Sequence, residues 1–116
     1  KERVPLSERT LKYVRAGLEQ VVASRGGTGH RTVFTKEVSI AGKTGTAETG
    51  SGRDHGWFAG YVPAEDPQVA FVAVLEYGGS GRRVAGPLAK GLVEEMLRLG
   101  LIIPATANDA DSADSF

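Results

Sequence analysis

A short stretch of the chain, Ile40 to Glu48, has the residue types needed to bind an anion. It supplies one cation, Lys43, and two hydroxyls, Thr44 and Thr46, with two glycines beside them, at the point where an apolar run gives way to a polar loop. Ammonium and hydroxyl groups are donors that recognise carboxylates and phosphates, and glycine lets a ligand lie close to the backbone. The stretch therefore predicts an anion site at the edge of a strand.

One alternative is a phosphate-binding loop, because Gly42-Lys43-Thr44 matches the end of the motif G-x-x-x-x-G-K-[ST]. That motif requires a glycine five residues before Gly42, so that backbone amides can surround the phosphates. The residue there is Glu37, whose carboxylate would repel them. The alternative fails at a position that the mechanism requires.

The other alternative is the K-T-G motif of the penicillin-interacting serine acyltransferases. Lys43 to Glu48 reads K-T-G-T-A-E, and His55 to Pro67 reads H-G-W-F-A-G-Y-V-P-A-E-D-P. With these motifs, the chain from about Val4 to Leu101 resembles the C-terminal third of a class B penicillin-binding protein, in particular the elongation-type penicillin-binding protein 2 transpeptidases. Gly26 to Thr28 and Arg82 to Leu97 are also similar to that family.

The resemblance implies an α+β fold, a part of the penicillin-binding transpeptidase (serine β-lactamase-like) fold. It also implies that the parent protein cross-links peptidoglycan stem peptides through a serine acyl-enzyme, releases the terminal D-alanine and is acylated by β-lactams. Lys43 would supply positive potential, Thr44 and Thr46 would bind the substrate carboxylate, and Gly45 would admit the substrate backbone. The N–H of Thr46 would be one of two oxyanion donors, so Lys43 and Thr46 are the expected catalytic residues. No cofactor or metal is implied.

The nucleophile of such an enzyme belongs to an S-x-x-K motif, and a second motif is S-x-N. No serine of the chain is followed three residues later by lysine, and the one asparagine is Asn108. We therefore expect this chain to be inactive without the rest of the transpeptidase domain, which would be its partner. A D,D-carboxypeptidase or serine β-lactamase of the same fold remains an alternative, as does a non-catalytic module that senses or binds β-lactams.

The composition limits the remaining possibilities. At 116 residues the chain is one domain at most, and its net charge of zero indicates neither nucleic acid nor an anionic membrane as a partner. It has no cysteine and no apolar run of about 18 residues that could span a membrane. The resemblance implies a periplasmic or extracytoplasmic location, an anchor upstream of Lys1, and possible partners in the cell-elongation machinery.

Two helices and three strands are predicted to position the motif. Ser7 is a predicted N-cap, and the glycines after Ser24 end the first helix. The apolar stripe of that helix comprises Leu11, Val14, Leu18, Val21 and Val22. The predicted strands are Glu37 to Thr46, Gly56 to Val62 and Gln68 to Tyr77.

The third strand is apolar on both faces, so both faces require cover, and part of that cover is expected to be missing from this chain. The second helix begins near Val84 to Gly86, with Pro87 in its first turn and Met96 in the core. Its wide apolar face comprises Val84, Ala85, Leu88, Ala89, Leu92, Val93, Met96 and Leu97. Residues 1–103 are expected to form the transpeptidase portion, and residues 104–116 a disordered acidic tail.

Four aromatic side chains near the motif are also candidates for function. We expect His55 to close a loop through a hydrogen bond, because the base of the family is a lysine, and His30 to lie on the surface. Trp57 and Tyr61 are four positions apart, so their side chains lie on the same face of the strand, and both are predicted to serve in packing.

Overall fold

The computed structural model describes residues 2–50 and 52–104. Helices accompany a three-stranded antiparallel sheet, which confirms the expected α+β fold. In chain order the elements are α1 (Glu8–Ala23), α2 (His30–Val33), β1 (Ala41–Ala47), β2 (His55–Val62), β3 (Val69–Leu75), a π-helical turn (Gly81–Ala85) and α3 (Gly86–Arg98). The expected tail lies outside the described residues from residue 105 onward. None of the described helices is long and apolar enough to cross a membrane.

Helix α1 begins and ends where the sequence predicts. The Oγ of Ser7 accepts a hydrogen bond from the N–H of Thr10 at 3.1 Å, as an N-cap does, and the helix stops at Ala23. Its predicted apolar stripe is only partly buried, because the helix packs against the fold through its C-terminal half. Val22 is buried, whereas Val14 is 51% exposed.

The strands follow the order β1-β2-β3, with Gly42 opposite Gly60 and Phe58 opposite Ala73. The prediction that the first strand begins at Glu37 is wrong, since β1 begins at Ala41. The carbonyl of Ser39 instead accepts the N–H of Ala64 at 2.9 Å, so this segment bonds to the turn after β2 and not to the strand itself.

One face of the sheet carries the core. Phe58 and Val62 of β2 and Ala73 of β3 belong to one buried cluster with Val93 and Met96 of α3, which confirms the core position of Met96. The wide apolar face predicted for α3 is only half covered. Leu88 and Leu92 on its flank are 47% and 40% exposed, because the helix joins the core along the narrower row Ala89, Val93 and Met96.

The other face of the sheet is open toward its Trp57 end, whereas Tyr61 at the opposite end is half-buried. Paired residues of neighbouring strands point to the same side, so Lys43, Trp57 and Val74 share this face with Ala59 and Val72. Trp57, Val72 and Val74 are 41%, 58% and 37% exposed. Residues 2–50 and 52–104 thus leave a largely apolar sheet surface in contact with solvent, and Lys43 stands at its border. We call this surface the open face.

Candidate functional site

All four expected site residues lie together on β1, the strand at one edge of the described sheet. The ammonium of Lys43 donates to the backbone carbonyl of Thr44 at 3.1 Å and contacts its Oγ1 at 3.2 Å. Lys43 starts on the open face and Thr44 on the opposite face, so the lysine side chain bends over the strand edge. The edge therefore combines a cation with a hydroxyl at one point.

The backbone of this edge is also available for binding. Contact between Lys43 Nζ and the carbonyl of Thr44 indicates that this carbonyl points away from β2. Outward and inward backbone groups alternate along an antiparallel edge strand, so the N–H of Thr46 points to the same outer edge. That is the orientation required of a donor to an oxyanion.

Two segments distant in sequence hold the hydroxyls. The Oγ1 of Thr28, in the loop between α1 and α2, shares a hydrogen bond of 3.1 Å with the Oγ1 of Thr44. The Oγ1 of Thr46 accepts the N–H of Gly81 at 3.1 Å. Because Thr46 acts there as an acceptor, its own O–H remains able to donate to a ligand.

The sequence analysis counted Gly26 to Thr28 among the family-like stretches, but it assigned neither Thr28 nor Gly81 a role at the site. A Cβ on Gly81 would lie 2.0 Å from the carbonyl oxygen of Gly45. The glycine thus lets the π-helical turn pack directly on the motif strand. A glycine-rich segment after an apolar strand was the available signal, but it did not reveal which strand the turn would contact.

Two glycines, which have no side chain, also determine how closely β1 packs against β2. Gly42 and Gly60 face each other, and the ring of Phe58 lies beside both. A Cβ on Gly42 would lie 2.5 Å from the carbonyl oxygen of Ala59 and 2.7 Å from the Phe58 ring. The glycine pair therefore allows a fully buried aromatic ring to sit directly under the motif strand.

The two histidines have structural partners. The Nδ1 of His55 accepts the N–H of Tyr77 at 2.9 Å, which ties the start of β2 to the turn after β3, in agreement with the loop-closing role predicted for it. The prediction that His30 lies on the surface is wrong. His30 is half-buried and its Nδ1 lies 2.7 Å from the carbonyl of Val22, because α2 folds back on the end of α1.

Trp57 and Tyr61 were both predicted to serve in packing, but Tyr61 is more deeply buried than Trp57. Trp57 is 41% exposed on the open face, because the described residues cover it only in part. Tyr61 is half-buried, and its hydroxyl is buried without a hydrogen-bond partner among the described residues. Burial raises the pKa of Tyr61 above its usual value of 10.0; Glu19 raises this pKa further, whereas Arg15 lowers it.

Those described serines whose hydroxyls form hydrogen bonds have structural roles. Ser7 and Ser80 accept hydrogen bonds at helix starts, and Ser39 bonds to Glu65. None of the serine hydroxyls in residues 2–50 and 52–104 is hydrogen-bonded to a lysine. In the same ranges no three His, Asp or Glu side chains converge as metal ligands would.

Comparison with known proteins identifies the family. Residues 1–94 match the family described as penicillin binding protein transpeptidase domain. The chain belongs to this family. The penicillin-binding protein relatives include the peptidoglycan D,D-transpeptidase MrdA of Haemophilus influenzae, which is 30% identical over 96 residues that cover 70% of this chain and 15% of that protein. The chain thus spans a small part of the length of such relatives.

Solved penicillin-binding protein structures share the fold. Penicillin-binding protein 2 of Pseudomonas aeruginosa, in complex with WCK 5153, superposes with a TM-score of 0.73 and 36% identity, covering 84% of this chain and 22% of that one. The corresponding protein of Helicobacter pylori, in a complex with MreC, gives a TM-score of 0.75 at 27% identity, covering 86% of this chain and 19% of that one. The expected class B transpeptidase resemblance is confirmed.

Proposed function

We propose that this chain supplies the carboxylate-binding and oxyanion half of the active site of a peptidoglycan D,D-transpeptidase. The observation that carries the proposal is the unpaired edge of β1 among the described residues. Lys43 Nζ lies 3.2 Å from Thr44 Oγ1 on that edge, and the hydroxyl of Thr46 is held by the N–H of Gly81. Membership of the penicillin-binding protein family supports the assignment.

The edge has the donors that a peptide carboxylate needs. If Thr28 donates its proton to Thr44, the O–H of Thr44 is directed to the ligand together with that of Thr46. Each hydrogen bond to a charged group contributes about 1.5–3 kcal/mol, and Lys43 adds a favourable potential. Gly45, between the two threonines, leaves the edge without a side chain where the substrate backbone would lie.

The same edge would stabilise the reaction intermediate. A serine Oγ attacks the carbonyl of the penultimate D-alanine, the peptide bond breaks, and the leaving D-alanine amine takes the proton. The acyl group then passes to an amine of a second stem peptide, which regenerates the serine hydroxyl. The N–H of Thr46 would donate to the oxyanion in both steps, a contribution typically worth about 2.7–4 kcal/mol of barrier.

The serine and its lysine base would come from the rest of the transpeptidase domain. We place that part of the domain on the open face, because Lys43 starts from this face and the exposed Trp57 and Val72 require cover. Lys43 would then lie between the two halves of the site and help polarise the serine of the second motif. A D,D-carboxypeptidase, a serine β-lactamase or a non-catalytic β-lactam-binding module would use the same edge.

The cellular location of the whole protein and one of its partners follow from the same proposal. Stem peptides are cross-linked outside the cytoplasm, so the site would act in the periplasm or at the extracytoplasmic face of the membrane. The Helicobacter pylori relative forms a complex with MreC, which supports a partner in the cell-elongation machinery for this protein as well.

Fluorescent penicillin labelling combined with intact mass spectrometry tests the proposal. We expect the complete gene product containing this sequence to gain the mass of one penicillin, and the 116-residue chain alone to gain none. Lys43→Ala should slow labelling of the complete product strongly, whereas Lys12→Ala, on the exposed face of α1, should not. A covalent adduct on the 116-residue chain would refute the assignment of the nucleophile to another segment. A complete product that binds penicillin without an adduct would favour the non-catalytic module.

A further inference from the structure

Four arginines line one groove beside the motif strand. Arg25 comes from the loop after α1, Arg31 from α2, and Arg82 and Arg83 from the π-helical turn, and together with the Gly26–Thr28 loop they surround about 600 Å³. We call this the arginine groove. All four side chains are exposed, and among the described residues no carboxylate lies within ion-pairing distance of them. Like charges gathered without a counter-charge favour an anionic ligand.

The groove is joined to the motif strand through both of its hydroxyls. Thr28, which bonds to Thr44, lies between Arg25 and Arg31 in the stretch that runs from the end of α1 into α2. Arg82 and Arg83 directly follow Gly81, whose N–H bonds to Thr46. Each hydroxyl of the motif is therefore held by a segment that contributes two arginines to the groove.

This arrangement limits where a bound anion can lie. Thr44 and Thr46 are two residues apart on an extended strand, about 7 Å. A ligand carboxylate on these hydroxyls would leave the neighbouring groups of the ligand next to the groove, within reach of a guanidinium side chain. Guanidinium groups form paired, charge-assisted hydrogen bonds with carboxylates, which a single lysine does not.

We propose that the arginine groove binds a second carboxylate of the same ligand, so that the site prefers peptides with an acidic group close to their C-terminal carboxylate. The proposal rests on the proposed function, since the first carboxylate must occupy the edge of β1. It assigns a specificity role to arginines that take no part in the acyl transfer itself. Arg82 and Arg83 would contribute most directly, because Gly81 fixes them against the strand.

The test compares two D-alanyl-D-alanine peptides that differ only in an upstream side chain, a carboxylate in one and the carboxamide in the other. Competition with fluorescent penicillin labelling of the complete gene product measures the affinity of each. We expect the acidic peptide to bind about tenfold more tightly, the effect of one charge-assisted contact, and less so at high salt. Arg82→Gln with Arg83→Gln should reduce the preference to about twofold, with the carboxamide affinity and the penicillin labelling rate unchanged.

The control variant carries Arg3→Gln and Arg9→Gln, which remove the same charge from exposed positions that do not line the groove. It should keep the full preference. If wild-type protein binds both peptides equally, or if the control lowers the preference as much as the groove variant does, the inference about the groove is wrong while the proposed function stands. If the wild-type protein is not labelled by penicillin at all, the proposed function itself fails.

Discussion

Replacing Gly81 by alanine should damage the site without altering any residue of the motif. The added Cβ would lie 2.0 Å from the carbonyl oxygen of Gly45 and 2.6 Å from that of Trp57. An ordinary contact is at least 3.4 Å, so the π-helical turn must move by about 1.4 Å, the difference between these distances. Both contacts are with backbone atoms of the sheet, which cannot rotate away as a side chain could.

The size of the effect follows from this displacement. The hydrogen bond from Gly81 to Thr46, now 3.1 Å, would lengthen beyond bonding distance, which costs about 1 kcal/mol. Overpacking adds about 1–3 kcal/mol, so the free energy of unfolding should fall by about 2–4 kcal/mol. A displacement of about 1 Å at a catalytic edge can slow a reaction about 100-fold, and penicillin acylation should fall by about 10- to 100-fold.

Denaturant unfolding and the second-order rate constant of penicillin acylation, both on the complete gene product, check the prediction. The matched control is Gly91→Ala, in the middle of α3, where no atom lies within 4 Å of the added Cβ. It should stabilise the protein by about 0.5–1 kcal/mol through helix propensity and leave acylation unchanged. If Gly81→Ala behaves like Gly91→Ala in both measurements, the contact between the turn and the motif strand is not what positions the site.

Three further substitutions test other parts of the structure. Thr44→Val should slow penicillin acylation about tenfold, by loss of one hydrogen bond to a charged group, whereas Thr44→Ser should not. Tyr61→Phe removes a buried hydroxyl that has no described partner, so denaturant unfolding should show about 1–3 kcal/mol more stability at neutral pH. Because the folded-state pKa of Tyr61 is raised, wild-type stability is fully present below pH 10 and falls as the pH rises through that pKa. The phenylalanine variant should lack this fall. Val72→Lys should change the stability of the 116-residue chain by less than about 0.5 kcal/mol but destabilise the complete gene product by several kcal/mol, if the open face is covered there.

The elements of the fold were largely predictable because local patterns determine them. Ser7 caps α1 as its residue type predicts, Pro87 lies in the first turn of α3, and the apolar run after residue 68 forms β3. Errors arose where tertiary contacts compete with local pattern. The segment before Ala41 alternates like a strand, yet its backbone bonds to Ala64, a residue 25 positions later than Ser39.

The extent of burial was less predictable than the elements. Val14, Leu88 and Leu92 follow apolar periodicities, but periodicity states only which side chains share a face and not whether anything covers that face. The structure leaves all three exposed. The apolar residues on both faces of β3 were more informative, since they predicted missing cover, and Val72 and Val74 are exposed in the structure.

The candidate site was likewise predictable where adjacent residues form it and not where segments distant in sequence contribute. Lys43, Thr44 and Thr46 could be assigned from their own motif, because residues within four consecutive positions of one strand necessarily lie close together. The residues that hold these hydroxyls could not be predicted in the same way, since the hydrogen bond from Thr28 spans 16 positions of the chain and that from Gly81 spans 35. These two bonds orient the hydroxyls from two separate segments before any ligand arrives, which is the preorganisation that an anion-stabilising edge requires. The strand alone would present the same groups in many rotamers. The precision of the site therefore depends on the loop and the turn that flank the motif strand, and a substitution that displaces either backbone, as Gly81→Ala should, will alter function although it touches no motif residue.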